Sequence, residues 1–437
     1  MNHTPLPQTA DVSRRSFLTT SGGLALGSAV LAGFPSSLTS AESSQKLRVG
    51  LIGCGGRGTG AAKQALSADP NVVLTAVGDA FEDRLKTSLN ALKADSKIGS
   101  QVQVQSDHCF LGLDAYQKVI ASDVDVVLLT TPPGFRPLHI KTAIEAGKHV
   151  FAEKPMAVDG PGVRSVLASA AEAKKRNLAL GAGFCWRYNL AERAGFEQIH
   201  QGAIGDVRTI YGTYNTGSLW SKPRQPEWSD MEWQLRNWLY LTWLSGDHLV
   251  EQAAHAVDWM CWAMKSEPPA KCVGTGGRQV RTDAAYGHIY DHFAVTYEWA
   301  NGSRGFIFCR QQANCANDNS LTVYGSKGVA RILGFGGMPS IKGDTEWRYR
   351  GPRPDMYQVE HNELFASIRA GKPINDGVWM AHSTLTAIMG RMAAYTGKEI
   401  TWEKALNSQE SLMPEKVALN ASLPVPPIAI PGITPFS

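Results

Sequence analysis

Apolar residues follow two different rhythms along this chain. Between residue 47 and about residue 183, short continuous apolar runs alternate with longer amphipathic stretches. The runs 47–52, 72–77, 125–131, 148–152 and 179–183 are short, nearly all apolar and bounded by Gly, Pro or charged residues. They read as buried parallel strands. The stretches 59–67, 137–146 and 161–176 between them read as helices. Such βα alternation predicts a doubly wound parallel sheet. After about residue 200 the rhythm changes. Strand-like runs at 207–216, 270–280, 290–299, 304–311 and 320–333 recur without regular intervening helices. They predict an antiparallel sheet with one face packed on helices. Residues 355–370 and 378–396 read as helices returning to the first domain. The Pro-rich tail 401–437 reads as extended on the surface. The expected class is therefore α/β: an N-terminal domain over 46–180 and an α+β domain over 181–400 with an open-faced, mostly antiparallel sheet.

The first run leads straight into Gly53-x-Gly55-x-x-Gly58. In a strand–turn–helix unit the first glycine makes the tight turn, the second lets backbone approach a pyrophosphate, and the third lets helix pack close on strand. The helix N-terminus adds free N–H groups and a positive dipole end. The next strand ends on Asp79, which lies 21 residues past Gly58, near the ~20 expected of a ribose-binding acid. Its carboxylate suits a 2′-hydroxyl and repels a 2′-phosphate, so NAD is expected over NADP. Ligands of doubly wound sheets sit beyond the carboxyl ends of the strands. Gly53, Asp79, Thr131 and Lys154 all fall there. The expected cofactor contacts are Gly53, Gly55, Gly56, Arg57 and Gly58 in the loop and Asp79 on the second strand. Thr131, Pro132, His139, Glu153 and Lys154 complete them from the later strand ends and the helix that follows Pro132.

The N-terminus lies outside this pattern. Ser13-Arg14-Arg15-Ser16-Phe17-Leu18 is a twin-arginine motif, followed by a mild Gly/Ala-rich apolar run and the small residues Thr39-Ser40-Ala41. Residues 1–41 thus read as a twin-arginine export signal and the mature protein as periplasmic. No apolar stretch beyond it reaches transmembrane length, so no membrane insertion is expected of the mature form. A formal net charge of +4, without a dense Lys/Arg run, gives no case for nucleic acid. The seven cysteines are odd in number and contain no CxxC, so neither a disulfide framework nor a zinc site is indicated. A Cys309–Cys315 pair stays open for an exported protein.

Gly53-x-Gly55-x-x-Gly58, Asp79, Ala146-Gly147-Lys148-His149-Val150, Glu153-Lys154-Pro155 and the stretch from Gly246 to Asp258 together resemble the Gfo/Idh/MocA family, named for glucose–fructose oxidoreductase, inositol dehydrogenase and the MocA proteins. The likeness covers about residues 46–400, and Glu-Lys-Pro after Ala-Gly-Lys-His-Val is its most specific part. The resemblance implies a Rossmann nicotinamide domain, an open-faced sheet domain that mediates oligomers (a homodimer or homotetramer), and hydride transfer at a carbon of a small carbohydrate or polyol.

The residues agree with that chemistry on their own terms. Oxidising a secondary alcohol requires a base for the hydroxyl proton. Lys154, at a strand end, and His255 are the candidates. Glu251, His255 and Asp258 are spaced 4 and 3 apart, so a helix starting near Ser245 would put them on one face. Glu251 would then raise the imidazole pKa and fix its tautomer. In the family the equivalent trio is Lys, Asp and His. Here Glu251 stands where Asp is usual, and it either orients His255 or binds substrate hydroxyls, or both. Arg187, Tyr188, Glu251, Asp258 and His292 are the candidate substrate contacts. Seven of the twelve tryptophans lie between 220 and 262; they predict packing, with one or two of Trp220, Trp228 and Trp233 lining a sugar cleft. His288, Tyr290, Asp291 and His292 alternate across a strand, which argues against a metal. An exported nicotinamide enzyme must retain and reset its cofactor. Coupling two sugars does this, and so does transient oxidation with elimination as in the family's glycoside hydrolases, although no tyrosine of the kind those hydrolases use is placed by the sequence. A non-catalytic sugar-binding protein is the rival from another class.

Overall fold

The structure is a computed structural model and describes residues 45–436; the export segment 1–41 lies outside the described residues. Six parallel strands form the first sheet: β1 (Leu47–Ile52), β2 (Val72–Asp79), β3 (Cys109–Leu111), β4 (Val126–Leu129), β5 (His149–Glu153) and β6 (Leu180–Gly183), in the order β3-β2-β1-β4-β5-β6. The order reverses between β1 and β4, where Val49 to Ile52 pair with Val126 to Leu129. A crevice opens at such a switch point. The central strands are apolar throughout because helices cover both faces: Val126 to Leu129 are wholly buried, each contributing about 1.5–3 kcal/mol of transfer free energy. The connecting helices are α1 (Gly56–Ala68), α2 (Glu82–Ala94), α3 (Ala115–Ala121), α4 (Arg136–Glu145) and α5 (Gly160–Lys175). Asp159 caps α5, accepting the Gly162 N–H at 2.8 Å.

The second sheet is built from β7 (Val207–Thr216), β8 (Lys271–Gly277), β9 (His292–Glu298), β10 (Arg304–Gln311), β11 (Asp318–Gly325), β12 (Gly328–Leu333), β13 (Ser340–Gly343), β14 (Trp347–Arg348) and β15 (Ile400–Thr401). Its order is β14-β13-β12-β11-β7-β10-β9-β8-β15. All pairs are antiparallel except β7 with β10. The single run expected over 320–333 is a hairpin, β11 and β12, turning at Ser326-Lys327. Burial alternates along β9 and β10, as it must when one face is covered and the other open. On the open face Tyr211, Phe308, Tyr324 and Val273 stand exposed.

Helices α6 (Leu190–His200), α10 (Ala254–Ala263) and α12 (Gly377–Thr396) line the covered face, and α11 (Met356–Arg369) returns to pack on α1. The tail beyond α13 (Trp402–Asn407) has no regular structure. Leu412, Met413, Leu419 and Leu423 nevertheless pack on the apolar cluster around Tyr240 and Trp243. Among the described residues no helix is long and apolar enough to cross a membrane. Cys309 is buried, Cys315 exposed, and both are free thiols.

Candidate functional site

A cavity of about 880 Å³ opens at the switch point and runs from the glycine loop to the helices of the second domain. Gly53 sits at φ +98, with its N–H donated to Gly78 O at 2.8 Å. A side chain at Gly58 would collide with the Gly53 carbonyl, whereas Gly55 and Gly56 face open space. This is the surface a dinucleotide phosphate requires: tight turn, close packing, and bare backbone toward the ligand. Asp79 lines the same cavity. Its oxygens accept the Cys54 N–H at 2.6 Å and the Phe81 N–H at 2.9 Å. Burial pushes its pKa up, with those two N–H groups working against the shift.

The remaining expected cofactor residues also line the cavity. Thr131 Oγ1 lies 3.1 Å from His139 Nδ1, whose ring stacks on Tyr116 at 4.2 Å. Burial, then the charge of Arg136, depress His139 to about 3, so it is a neutral hydrogen-bonding wall. Arg136, which the sequence reading missed, donates to Leu129 O, Thr131 O and Pro155 O at 2.8–2.9 Å. It ties the ends of β4 and β5 together beneath Pro132. Arg57 borders the cavity, but its guanidinium is committed to Glu153 at 2.5 Å and Gln64 at 2.7 Å. It locks the loop to β5.

Lys154, at the end of β5, meets the second domain directly. Its ammonium donates to Glu251 O at 2.6 Å and Glu251 Oε1 at 2.7 Å. An ammonium has three N–H bonds, so one remains for a ligand. The expected continuous helix from Ser245 is not there. Ser245 ends α8 (Thr242–Ser245), Gly246 and Asp247 adopt φ of +77 and +78, and the chain restarts as α9 (His248–Glu251) before α10. Glu251 and His255 therefore sit on different helices. Both border the cavity, but Glu251 turns to Lys154, not to the imidazole. His255 is pushed well below its usual range by burial and then by the Lys154 charge. Its Nδ1 is buried without a partner. The expected upward shift from Glu251 is thus reversed: burial and the Lys154 charge oppose the protonated ring, and the carboxylate is turned to the lysine.

Four expected substrate contacts fall elsewhere. Arg187 forms a fork with Asp258 at 2.8–3.2 Å and is sandwiched between Trp379 and Trp262. Asp258 also accepts from Ser383 at 2.7 Å. Both are interior structural groups. Tyr188 is buried and donates to Asp376 at 2.6 Å. His292 lies on the second sheet against Asp291 at 2.8 Å. None of the four borders the cavity. In the His288–His292 stretch His288 Nε2 meets Thr242 and Asp291 accepts three backbone N–H groups, while His288 Nδ1 is buried without a partner. Among the described residues no group of three or more His, Cys, Asp or Glu is placed to hold a metal.

Tyr214 and Gln252 line the cavity and were missed. Tyr214 stands near the end of β7, its ring parallel to that of His255 at 6.4 Å. Its position near the end of the first strand after the Rossmann domain was the available signal. Of the tryptophans, Trp220 and Trp238 line the cavity; Trp233, Trp243 and Trp259 are buried.

Comparison with known proteins agrees with this geometry. Residues 47–182 match the family model described as "Oxidoreductase family, NAD-binding Rossmann fold", and 196–331 match the "GFO/IDH/MocA C-terminal domain". The chain is similar to "Inositol 2-dehydrogenase" of Serratia proteamaculans (strain 568), 23% identical over 361 residues, covering 81% of this chain and 95% of that protein. In fold it resembles the aldose-aldose oxidoreductase from Caulobacter crescentus crystallised with glycerol, with TM-score 0.65, 20% identity, and coverage of 82% of this chain and 100% of the other. It also resembles a levoglucosan dehydrogenase in complex with NADH and levoglucosan, with TM-score 0.63, 18% identity, and coverage of 82% and 99%.

Proposed function

Because the chain belongs to the Gfo/Idh/MocA family of NAD-binding oxidoreductases, we propose that it moves hydride to or from a secondary alcohol carbon of a sugar or sugar derivative, as an exported, periplasmic enzyme that keeps its cofactor and resets it in place. The carrying observation is that Lys154, Glu251 and His255 converge in one cavity with the glycine loop and Asp79. The names of the relatives, an inositol dehydrogenase, an aldose-aldose oxidoreductase and a levoglucosan dehydrogenase, support a sugar or polyol. The twin-arginine motif supports export.

When bound, NAD supplies the hydride acceptor. The protein supplies proton handling. The free N–H of Lys154 donates to the substrate hydroxyl and polarises it. Glu251 fixes the ammonium through two acceptors. His255, held neutral by burial, takes the hydroxyl proton as the bond to hydrogen on carbon is broken. The exposed aromatic residues Tyr211, Phe308 and Tyr324 on the open sheet face support association into a dimer or tetramer. One observation favours a second reading, transient oxidation with elimination of an aglycone. Tyr214 borders the chamber beside His255, and its hydroxyl, kept protonated by burial and then by the Glu251 charge, would be the acid of that route.

The deciding experiment combines the mass and absorbance spectra of the protein as purified with an assay of Lys154→Ala against a panel of sugars and polyols. Bound nicotinamide in the wild type, and a variant that still binds it but no longer turns over, is the expected result. Full activity in Lys154→Ala would sink the reading.

A further inference from the structure

The glycine-loop side of the cavity belongs to the first domain, but its outer wall does not. Trp220, Ser221, Lys222 and Trp238 line the same cavity as Asp79, Phe81 and Arg84. They come from the segment 217–238, which follows β7 and reaches across the crevice. This segment is fixed at several points. Tyr240 OH donates to Trp220 O at 2.6 Å. Asn237, wholly buried, grips the main chain of Lys222 from both sides: its Oδ1 accepts the Lys222 N–H at 2.7 Å, and its Nδ2 donates to Lys222 O at 3.1 Å. Arg236 then crosses back to the first domain. Its guanidinium lies 3.9 Å over the Phe81 ring and 3.2 Å from the Asp83 carboxylate.

The Lys222 ammonium is not in hydrogen-bond or ion-pair contact with a carboxylate, although the charge of Asp83 reaches it. Neither it nor Arg84 forms a hydrogen bond or ion pair with a described residue, although both border the cavity. Burial, then the charges of Arg84 and Arg236, press the Lys222 pKa down, with Asp83 working against the shift. Asp79 and Asp83 offset part of this positive charge, but neither Lys222 nor Arg84 is held by a side-chain ion pair, so both stay available to an anion that enters between the walls. The dinucleotide that this family binds carries such a charge on its phosphates.

We propose that Lys222 is a cofactor-binding residue that acts with Arg84 on the anionic dinucleotide, and that segment 217–238, bridged to Phe81 and Asp83 by Arg236, is a wall that must open before the cofactor leaves. The inference rests on the dinucleotide reading and deepens the retention proposed above. It does not depend on the sugar chemistry.

Lys222→Ala is a clean probe, because Asn237 grips the main chain of residue 222 and leaves the side chain free to be replaced. NADH binding and release are followed in the intact protein by energy transfer from tryptophan, Trp220 and Trp238 lining the cavity. Lys222→Ala should weaken NADH about five- to tenfold, the scale of one partly exposed charge contact, mostly through faster release. Raised salt should weaken the wild type more than the variant. Arg236→Gln, checked for an unchanged melting temperature without nucleotide, should release NADH faster than wild type. Unchanged binding and release in Lys222→Ala would overturn the assignment of Lys222. Unchanged release in a folded Arg236→Gln would overturn the wall. If Lys222→Ala weakens NADPH and leaves NADH alone, the cations serve a 2′-phosphate and the proposal fails in its present form. If the wild type binds no NADH at all, it is the dinucleotide reading that falls.

Discussion

Replacing His255 by Ala tests the division of labour in the chamber. A lost general base slows chemistry by roughly 10²–10⁴, or about 3–5 kcal/mol of barrier. The structure selects the lower part of that range. No carboxylate stabilises the imidazolium, because Glu251 is bound to Lys154 and the His255 Nδ1 has no partner. Burial and the lysine charge both oppose the protonated ring. A base whose conjugate acid is that poorly stabilised gives less driving force for proton transfer, so we expect a loss of about 10²–10³. The same environment places the acid limb of the wild-type rate below the ordinary imidazole value of about 6.5, not above it. Single-turnover reduction of bound nicotinamide across pH measures both. Unfolding must be followed over the same range. An imidazole whose folded-state pKa is depressed gains its proton on unfolding, so its stabilising contribution is complete above about pH 6.5 and is lost as pH falls from there. His139, His288 and His361, pushed down to about 3, 4 and 3 mainly by burial, act in the same direction. Asp247, pushed up to about 6 by burial, opposes them: it is protonated on folding between about pH 6 and its unfolded value. If His255→Ala transfers hydride at the wild-type rate with an unchanged profile, Lys154 is the base.

Three further outcomes are expected. NAD should bind the nucleotide-free protein more tightly than NADP, because the Asp79 carboxylate repels a 2′-phosphate; equal affinities by titration would refute this. Arg187→Ala should lower unfolding free energy by about 3–5 kcal/mol, since it strands the buried Asp258 carboxylate, while KM for sugar in the surviving folded enzyme stays near wild type; a selective rise in KM without loss of stability would return Arg187 to the substrate site. Deleting residues 1–41 should leave the melting temperature unchanged and abolish export, and a truncated protein still recovered outside the cytoplasm would refute the signal assignment.

The first domain was legible because its rules are local. An apolar run buried on both faces, a glycine turn and an acid at the next strand end are all read from contiguous residues. The cavity indeed brings Gly53, Asp79, Thr131, His139, Glu153 and Lys154 together. Arg187 and Tyr188 fall outside the cavity because of partners far away in sequence. Arg187 looked available because it follows a strand end, yet Asp258, 71 residues on, claims it. Tyr188 is claimed by Asp376, 188 residues on. His292 stands by Asp291 on the wrong sheet region for the cavity. Arg136 was missed for a related reason, and for Tyr214 the only available signal was its place near the end of β7. Residue type and spacing do not show that the Arg136 guanidinium turns back to the Leu129 and Thr131 carbonyls, or that the Tyr214 ring faces His255.

The helix that carries Glu251 shows how one local break redirects chemistry. Spacings of 4 and 3 place side chains on one face only if the helix is unbroken. At Gly246 and Asp247 the backbone turns left-handed, and for a non-glycine residue such as Asp247 that conformation costs on the order of 1–3 kcal/mol. It persists because the buried Asp247 carboxylate is fixed from three directions, by the His248 N–H, the Tyr290 N–H and the Tyr395 hydroxyl. The chain restarts at His248 with a new phase, so Glu251 ends a one-turn helix. At that end its own carbonyl, free of a helical partner in the next turn, and its carboxylate both reach the Lys154 ammonium. The glutamate at this position thus acts on the lysine, holding a cation at the strand end of one domain from the helix end of the other.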